Sequence, residues 1–277
     1  MYRILIIIFV FLSVTYSKES DPTDKLSPSL ISEIINFEIQ SVNVGDKFVI
    51  NVSLPESYST TTETKYPVLY ITDGYWRKEQ HQPIHDMSRN ENVKEMIIVG
   101  ISYPDGYDAN NIRVRDLITG ADKFLDFICK ELIPSIDSKY RTTTERTLWG
   151  SSYGGYFGMY ALFNYTEKTK GVFKNYIIAS AAALEKTNYN GIPLDLFGYE
   201  RLQFSSTDEL NLNLYITVGG IEDVNRFLDP FKNLVAILQS RAYKLFFMKS
   251  YIDPGKNHFT VWEPTLYEGI RLFMKKD

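Results

Sequence analysis

Arg146-Thr147-Leu148-Trp149-Gly150-Ser151-Ser152-Tyr153-Gly154 runs from a short apolar, strand-like segment into a glycine-flanked turn. Tyr156-Phe157-Gly158-Met159-Tyr160-Ala161-Leu162-Phe163 follows it with helix-like composition. The centre, Gly150-Ser151-Ser152-Tyr153-Gly154, fits the G-x-S-x-G pattern of a serine held on a sharp strand-to-helix turn. Glycines on either side give such a turn room, and the helix that follows aims free N–H groups at the spot where negative charge develops in acyl transfer. The pattern is cheap by itself and fits an incidental serine in a glycine-rich turn equally well. Its setting between strand and helix favours a nucleophile at Ser152.

Working outward, strand-like runs lie near 36–42 and 47–54, and a Ser/Thr-rich polar loop spans 57–64. Pro67-Val68-Leu69-Tyr70-Ile71 and Met96-Ile97-Ile98-Val99-Gly100-Ile101 are continuous apolar runs, which suit strands buried on both faces of a parallel sheet. Residues 119–139 show helical spacing, with Phe124, Phe127, Ile128, Leu132 and Ile136 on one stripe. Strands at 176–180, 212–218 and 244–250 alternate with helices near 224–240 and 263–274. Residues 184–211, with Gly191, Pro193 and Gly198, read as an irregular loop or small cap. This alternation predicts a single α/β domain over 35–277, built on an open, mostly parallel sheet with helices on both faces.

The chain has 277 residues, 44% hydrophobic and 23% charged, ordinary values for a globular protein large enough to bury a sizeable core. A net charge of −4 and the lack of any basic stripe argue against nucleic acid as a partner. Met1-Tyr2-Arg3, the apolar run Ile4 to Val14 and Thr15-Tyr16-Ser17 read as a signal peptide over 1–17, followed by a polar leader over 18–34. The apolar run is short for a membrane span, which needs roughly 20 residues, so a cleaved signal and a secreted or periplasmic location are favoured over an uncleaved anchor. Cys129 is the only cysteine; it excludes an internal disulfide and falls in the apolar phase of its helix, as a structural thiol would. Asn51-Val52-Ser53 and Asn164-Tyr165-Thr166 match the glycosylation acceptor pattern, relevant only in a eukaryotic host.

A serine hydroxyl needs a base, and the base an orienting acid. On a serine elbow of this kind they follow in chain order Ser, acid, His, and of the three histidines only His258 lies downstream. It stands in the loop Asp253-Pro254-Gly255-Lys256-Asn257-His258, after the last strand. The acid is expected after the strand ending at Val218, where Gly219-Gly220-Ile221-Glu222-Asp223 offers two carboxylates. Glu222 is preferred over Asp223; one of the two could cap the next helix, and a Ser–His pair could also act alone. A base must be neutral, so an ordinary histidine would lose activity below about pH 6.5. The backbone N–H groups of Tyr153 and of Tyr75, in Asp73-Gly74-Tyr75-Trp76, are the expected oxyanion donors, although an ordinary Asp-Gly turn explains the second motif as well. Trp76 and Arg115 are candidate substrate contacts. Arg113, Arg115 and Asp116 lie beyond a strand's carboxyl end, as either a substrate site or a structural ion pair. His81 and His85 have metal-ligand spacing, but Pro83 between them argues against a continuous helix and no third ligand is near; no metal or organic cofactor is expected.

With these residues in view, the chain resembles the putative-esterase branch of the α/β-hydrolase superfamily, nearest to the siderophore (enterobactin-type) esterase-like hydrolases. The resemblance is carried by Leu54-Pro55-Glu56-Ser57-Tyr58, Tyr66 to Gly74, Ile98-Val99-Gly100-Ile101, Arg113-Val114-Arg115-Asp116-Leu117, Phe124-Leu125-Asp126-Phe127, Glu131-Leu132-Ile133-Pro134, Tyr140-Arg141-Thr142 and the elbow. It implies the α/β-hydrolase fold, Ser152 as nucleophile, His258 as base and cofactor-free ester hydrolysis. The substrate would be a small-molecule or carbohydrate-linked ester, a siderophore lactone among them. The chain departs from the family at Ser151 and Tyr153, where the elbow usually reads Gly-His-Ser-Leu-Gly-Gly, and at Ala179 to Leu184, where a Ser-Pro-Ser stretch is usual. An acyltransferase of the same fold and an inactive binding module are the alternatives.

Overall fold

The computed structural model describes residues 33–276. The signal peptide at 1–17 and nearly all of the leader at 18–34 lie outside the described residues. Ten strands are described: β1 Ile34–Gln40, β2 Lys47–Ser53, β3 Tyr66–Ile71, β4 Ile97–Ser102, β5 Thr142–Ser151, β6 Asn175–Ala179, β7 Thr187–Tyr189, β8 Ile192–Leu194, β9 Glu209–Gly219 and β10 Lys244–Asp253. Eight of them form one sheet in the order β1-β2-β4-β3-β5-β6-β9-β10. β1–β2 and β2–β4 pair antiparallel, and every other neighbouring pair is parallel.

The continuous apolar runs of β3, β4, β5 and β6 follow from burial on both faces. Alternate residues of one strand point to opposite sides. Val68 and Tyr70, Ile97 and Val99, Leu148, Tyr176 and Ile178 enter the larger core. Leu69 and Ile71, Ile98, Trp149 and Ile177 enter the smaller one, where the helix Trp262–Phe273 supplies Leu266 and Ile270.

The expected helix over 119–139 forms as Ala121–Phe127, a wide π-turn at Ile128–Leu132, and Ile133–Lys139, and its predicted stripe is buried. Cys129 sits half-buried in that π-turn, where burial pushes its thiol up to about 11. Two expectations are corrected. Residues 184–211 are not irregular: β7 and β8 form a hairpin, and Leu196–Ser206 is a helix whose N-cap, Asp195, accepts from Gly198 N at 2.8 Å. Pro83 does not interrupt His81–Asn90, because it occupies the first turn, where a backbone N–H has no intrahelical partner to lose. Among the described residues no helix is long and apolar enough to cross a membrane.

Candidate active site

β5 delivers its last residue, Ser151, to the carboxyl edge of the sheet, and the helix Tyr153–Phe163 begins two residues later. Ser152 alone makes the corner, at φ 58° and ψ −116°. A non-glycine residue there is strained, and such strain persists only where the surroundings hold it. Here the Ser152 N–H donates to the Ala179 carbonyl at 3.0 Å, while the Ser152 carbonyl accepts from Ala182 N and Tyr156 N, both at 3.0 Å. The flanking glycines are obligatory for a steric reason. A Cβ on Gly150 would fall on the Gly154 carbonyl oxygen, and one on Gly154 would fall on Thr72 Oγ1.

His258, in the loop between β10 and the helix Trp262–Phe273, faces this corner, with Nε2 3.0 Å from Ser152 Oγ. Its Nδ1 is 2.9 Å from Glu222 Oε2. Glu222 follows β9 in a tight turn, with its side chain fully buried, and Oε1 accepts from Gly219 N at 2.7 Å. Asp223, one residue on, turns away: it caps the helical turn Val224–Leu228 by accepting from Arg226 N at 2.8 Å. Of the two carboxylates, one therefore meets the imidazole and the other a helix terminus. Phe227 packs against the imidazole at 4.5 Å between ring centres.

Sequence reasoning missed Ser180, just past β6. Its hydroxyl donates to Glu222 Oε2 at 2.6 Å and stands 2.8 Å from His258 Nδ1. Only its place within Ala179 to Leu184, the stretch that stands where Ser-Pro-Ser is usual, could have marked it.

A cavity of about 560 Å³ opens over Ser152 and His258, walled by Asp73, Trp76, Arg77, Arg113, Phe259 and Trp262 among others. Trp76, expected near substrate, is on that wall. Arg115 is not: its guanidinium is engaged by Asp116, at 2.7 and 3.0 Å, and by Asp46. The expectation for Arg115 is corrected by position, since two residues along a helical turn point to different sides. Arg113 takes the cavity side, where it forms a bidentate pair with Asp73 at 2.8 and 2.6 Å. Burial alone would lower its pKa, but the bonds to Asp73 outweigh this and raise it. Tyr153 is the first residue of its helix, so its N–H has no partner within the helix. Tyr75 lies in the single 3₁₀ turn Gly74–Trp76 after β3, its ring exposed and edge-on to Trp76. A second cavity of about 310 Å³ is lined by Tyr153 and by Tyr189 of the β7–β8 hairpin.

His81 and His85 lie away from this site, buried beneath β2. His81 Nδ1 and His85 Nε2 share the Ser53 hydroxyl at 2.7 and 2.9 Å. Among the described residues no group of three or more His, Cys, Asp or Glu side chains could hold a metal ion.

A family model described as "putative esterase" matches residues 41–184. Among solved structures, an IroE-like serine hydrolase from Shewanella oneidensis aligns at TM-score 0.71 and 24% identity, over 87% of this chain and 80% of that one. The BES protein of Bacillus cereus aligns at TM-score 0.74 and 22% identity, over 96% and 100% of the two chains. The siderophore hydrolase EstB of Aspergillus nidulans aligns at TM-score 0.70 and 23% identity, over 90% and 96%. No curated protein sequence matches the chain. The fold is that of the α/β-hydrolases.

Proposed function

The chain belongs to the putative-esterase family and is a carboxylic ester hydrolase, and from that premise we propose that it works as a serine esterase through Ser152, His258 and Glu222. Ser152 Oγ attacks the ester carbonyl and passes its proton to His258 Nε2. The tetrahedral oxyanion is held by the Tyr153 N–H, with the Tyr75 N–H as second donor. His258 then gives that proton to the leaving alcohol as the C–O bond breaks, leaving an acyl-serine. Water, deprotonated by the same imidazole, attacks the acyl carbonyl and releases the carboxylic acid and free serine. Glu222 keeps His258 in the tautomer with Nδ1 protonated and stabilises the imidazolium that forms in each half.

The observation that carries this reading is the unbroken line of contacts from Ser152 Oγ through the imidazole to Glu222, at 3.0 and 2.9 Å. Trp76, Phe259 and Trp262 on the cavity wall suit an aromatic or cyclic ester, in keeping with a siderophore lactone or a carbohydrate-linked aromatic ester. The apolar segment before residue 18 supports export to the periplasm or outside the cell.

The test compares residues 18–277 with Ser152→Ala on p-nitrophenyl esters, a catechol lactone, a feruloylated sugar and an acetylated sugar, with products identified by mass. Turnover confined to the serine protein is expected. Equal turnover by both proteins would overturn the mechanism. Acyl transfer to added sugar in place of release of free acid would turn the reading from hydrolase to acyltransferase.

A further inference from the structure

One cation on the cavity wall has no task in the hydrolytic steps. The Arg77 guanidinium lies over the Trp262 ring, 3.8 Å from its centre, and 5.6 Å from that of Trp149. It donates through Nη1 to the Trp76 carbonyl at 3.3 Å, while its buried Nε has no hydrogen-bond partner. Among the described residues no carboxylate forms an ion pair with it. Asp73, Glu79 and Glu263 act on it only through space, and burial holds its pKa below the ordinary arginine value. Arg113, on the same wall, is the contrast, because Asp73 neutralises it in a bidentate pair.

A guanidinium whose faces rest on indoles keeps its N–H edge for recognition. That edge is a planar fork matched to a carboxylate, and the stacking holds it in one orientation. An anion placed at the edge that borders the cavity would offset the unfavourable burial of the charge and accept from the N–H groups there. A single unpaired cation balances a single negative charge; a phosphomonoester would bring nearly two.

We propose that Arg77 is an anion-binding residue of the catalytic cavity, and that the ester substrate carries a carboxylate, which Arg77 holds while its ester carbonyl meets Ser152. The substrate class deepens the serine-esterase reading and rests on it, but the binding itself can be read without turnover. The chain's three tryptophans all serve as reporters, since Trp76 and Trp262 line the cavity and Trp149 packs on Arg77.

The experiment titrates the full chain carrying Ser152→Ala with benzyl hemisuccinate and with its neutral counterpart benzyl butyrate, followed by tryptophan fluorescence. Binding of the hemisuccinate is expected to be tighter by about tenfold or more, as for a hydrogen-bonded charge pair shielded from water. That advantage should disappear when Arg77→Met is added and survive in part with Arg77→Lys, which keeps the charge and loses the fork. Circular dichroism melting of each variant separates lost binding from lost folding. Equal binding of the two esters, or an advantage that persists in a folded Arg77→Met protein, overturns the proposal. Failure of the wild-type chain to hydrolyse any ester would overturn the serine mechanism instead and leave this binding result intact.

Discussion

Ser180 donates its hydroxyl to Glu222 Oε2 at 2.6 Å, the same carboxylate oxygen that stands 2.9 Å from His258 Nδ1. The serine is itself fixed, at φ 44°, by its N–H to the Thr217 carbonyl at 2.8 Å, which ties the end of β6 to β9. Glu222 is thus held on both oxygens, by Ser180 on one and by Gly219 N on the other, and can present one lone pair to the imidazole.

Ser180→Ala should therefore lower kcat by about tenfold, the equivalent of one hydrogen bond to a charged acceptor. KM for the same ester should stay within about twofold, because Ser180 positions Glu222 and is not on the cavity wall. Steady-state kinetics with one p-nitrophenyl ester decides it. A rise in KM at constant kcat would place Ser180 in substrate binding instead.

Glu222 and Asp223 separate cleanly by mutation. Glu222→Gln keeps the shape and loses the charge that stabilises the imidazolium, so kcat should fall on the order of 10²–10⁴-fold. Asp223→Ala should leave kcat alone and cost about 1 kcal/mol of stability through the lost cap at Arg226 N. Denaturant melts read beside kcat test both at once; an inactive, fully stable Asp223→Ala would reverse the two roles.

Gly150→Ala probes the corner from the packing side. The added methyl would collide with the backbone carbonyl of Gly154, which the first turn of its helix holds in place. The expected loss is about 3 kcal/mol or more, seen as a lowered melting temperature or loss of soluble protein. Near-normal stability would mean that the helix can shift to make room.

Much of this was legible along the chain because short-range rules govern it. The parallel strands announce themselves as apolar runs, since burial on both faces removes the polar alternation. The elbow is visible because a steric requirement, glycine at 150 and 154, is written into residue identity. His258 could be picked out by scarcity and chain order. Segment 184–211 was misread because its hairpin strands are three residues each and its helix has no single apolar stripe, so no period of 2 or 3.6 rises above the turn residues. Arg113 and Arg115 could not be told apart because Asp73, which pairs with Arg113, and Asp46, which joins Asp116 on Arg115, lie 40 and 69 residues away from them. Ser180 and Arg77 owe their surroundings to β6 meeting β9 and to Trp262 returning at the end of the chain, contacts that leave no local signal.

The buried histidines make stability fall in acid, independently of catalysis. One Ser53 hydroxyl serves both rings, and the far nitrogens, His81 Nε2 and His85 Nδ1, are buried without partners. A proton added to either ring would put a charge into this enclosed space. Burial, with His85 close by, pushes His81 down to about 3, and burial pushes His85 down to about 4. Both folded values lie below the ordinary histidine value of about 6.5, so between about pH 6.5 and 4 the unfolded chain binds more protons than the folded one. The stabilisation is complete above that window and drains as pH falls through it. The slope should approach about 2.7 kcal/mol per pH unit near pH 5, since two protons are taken up on unfolding. Urea unfolding at pH 7.5, 6, 5 and 4.5 measures it, and His85→Gln should roughly halve the slope. A free energy of unfolding that stays level from pH 7 to 4.5 would mean that water or a rearranged Ser53 already accommodates the charge.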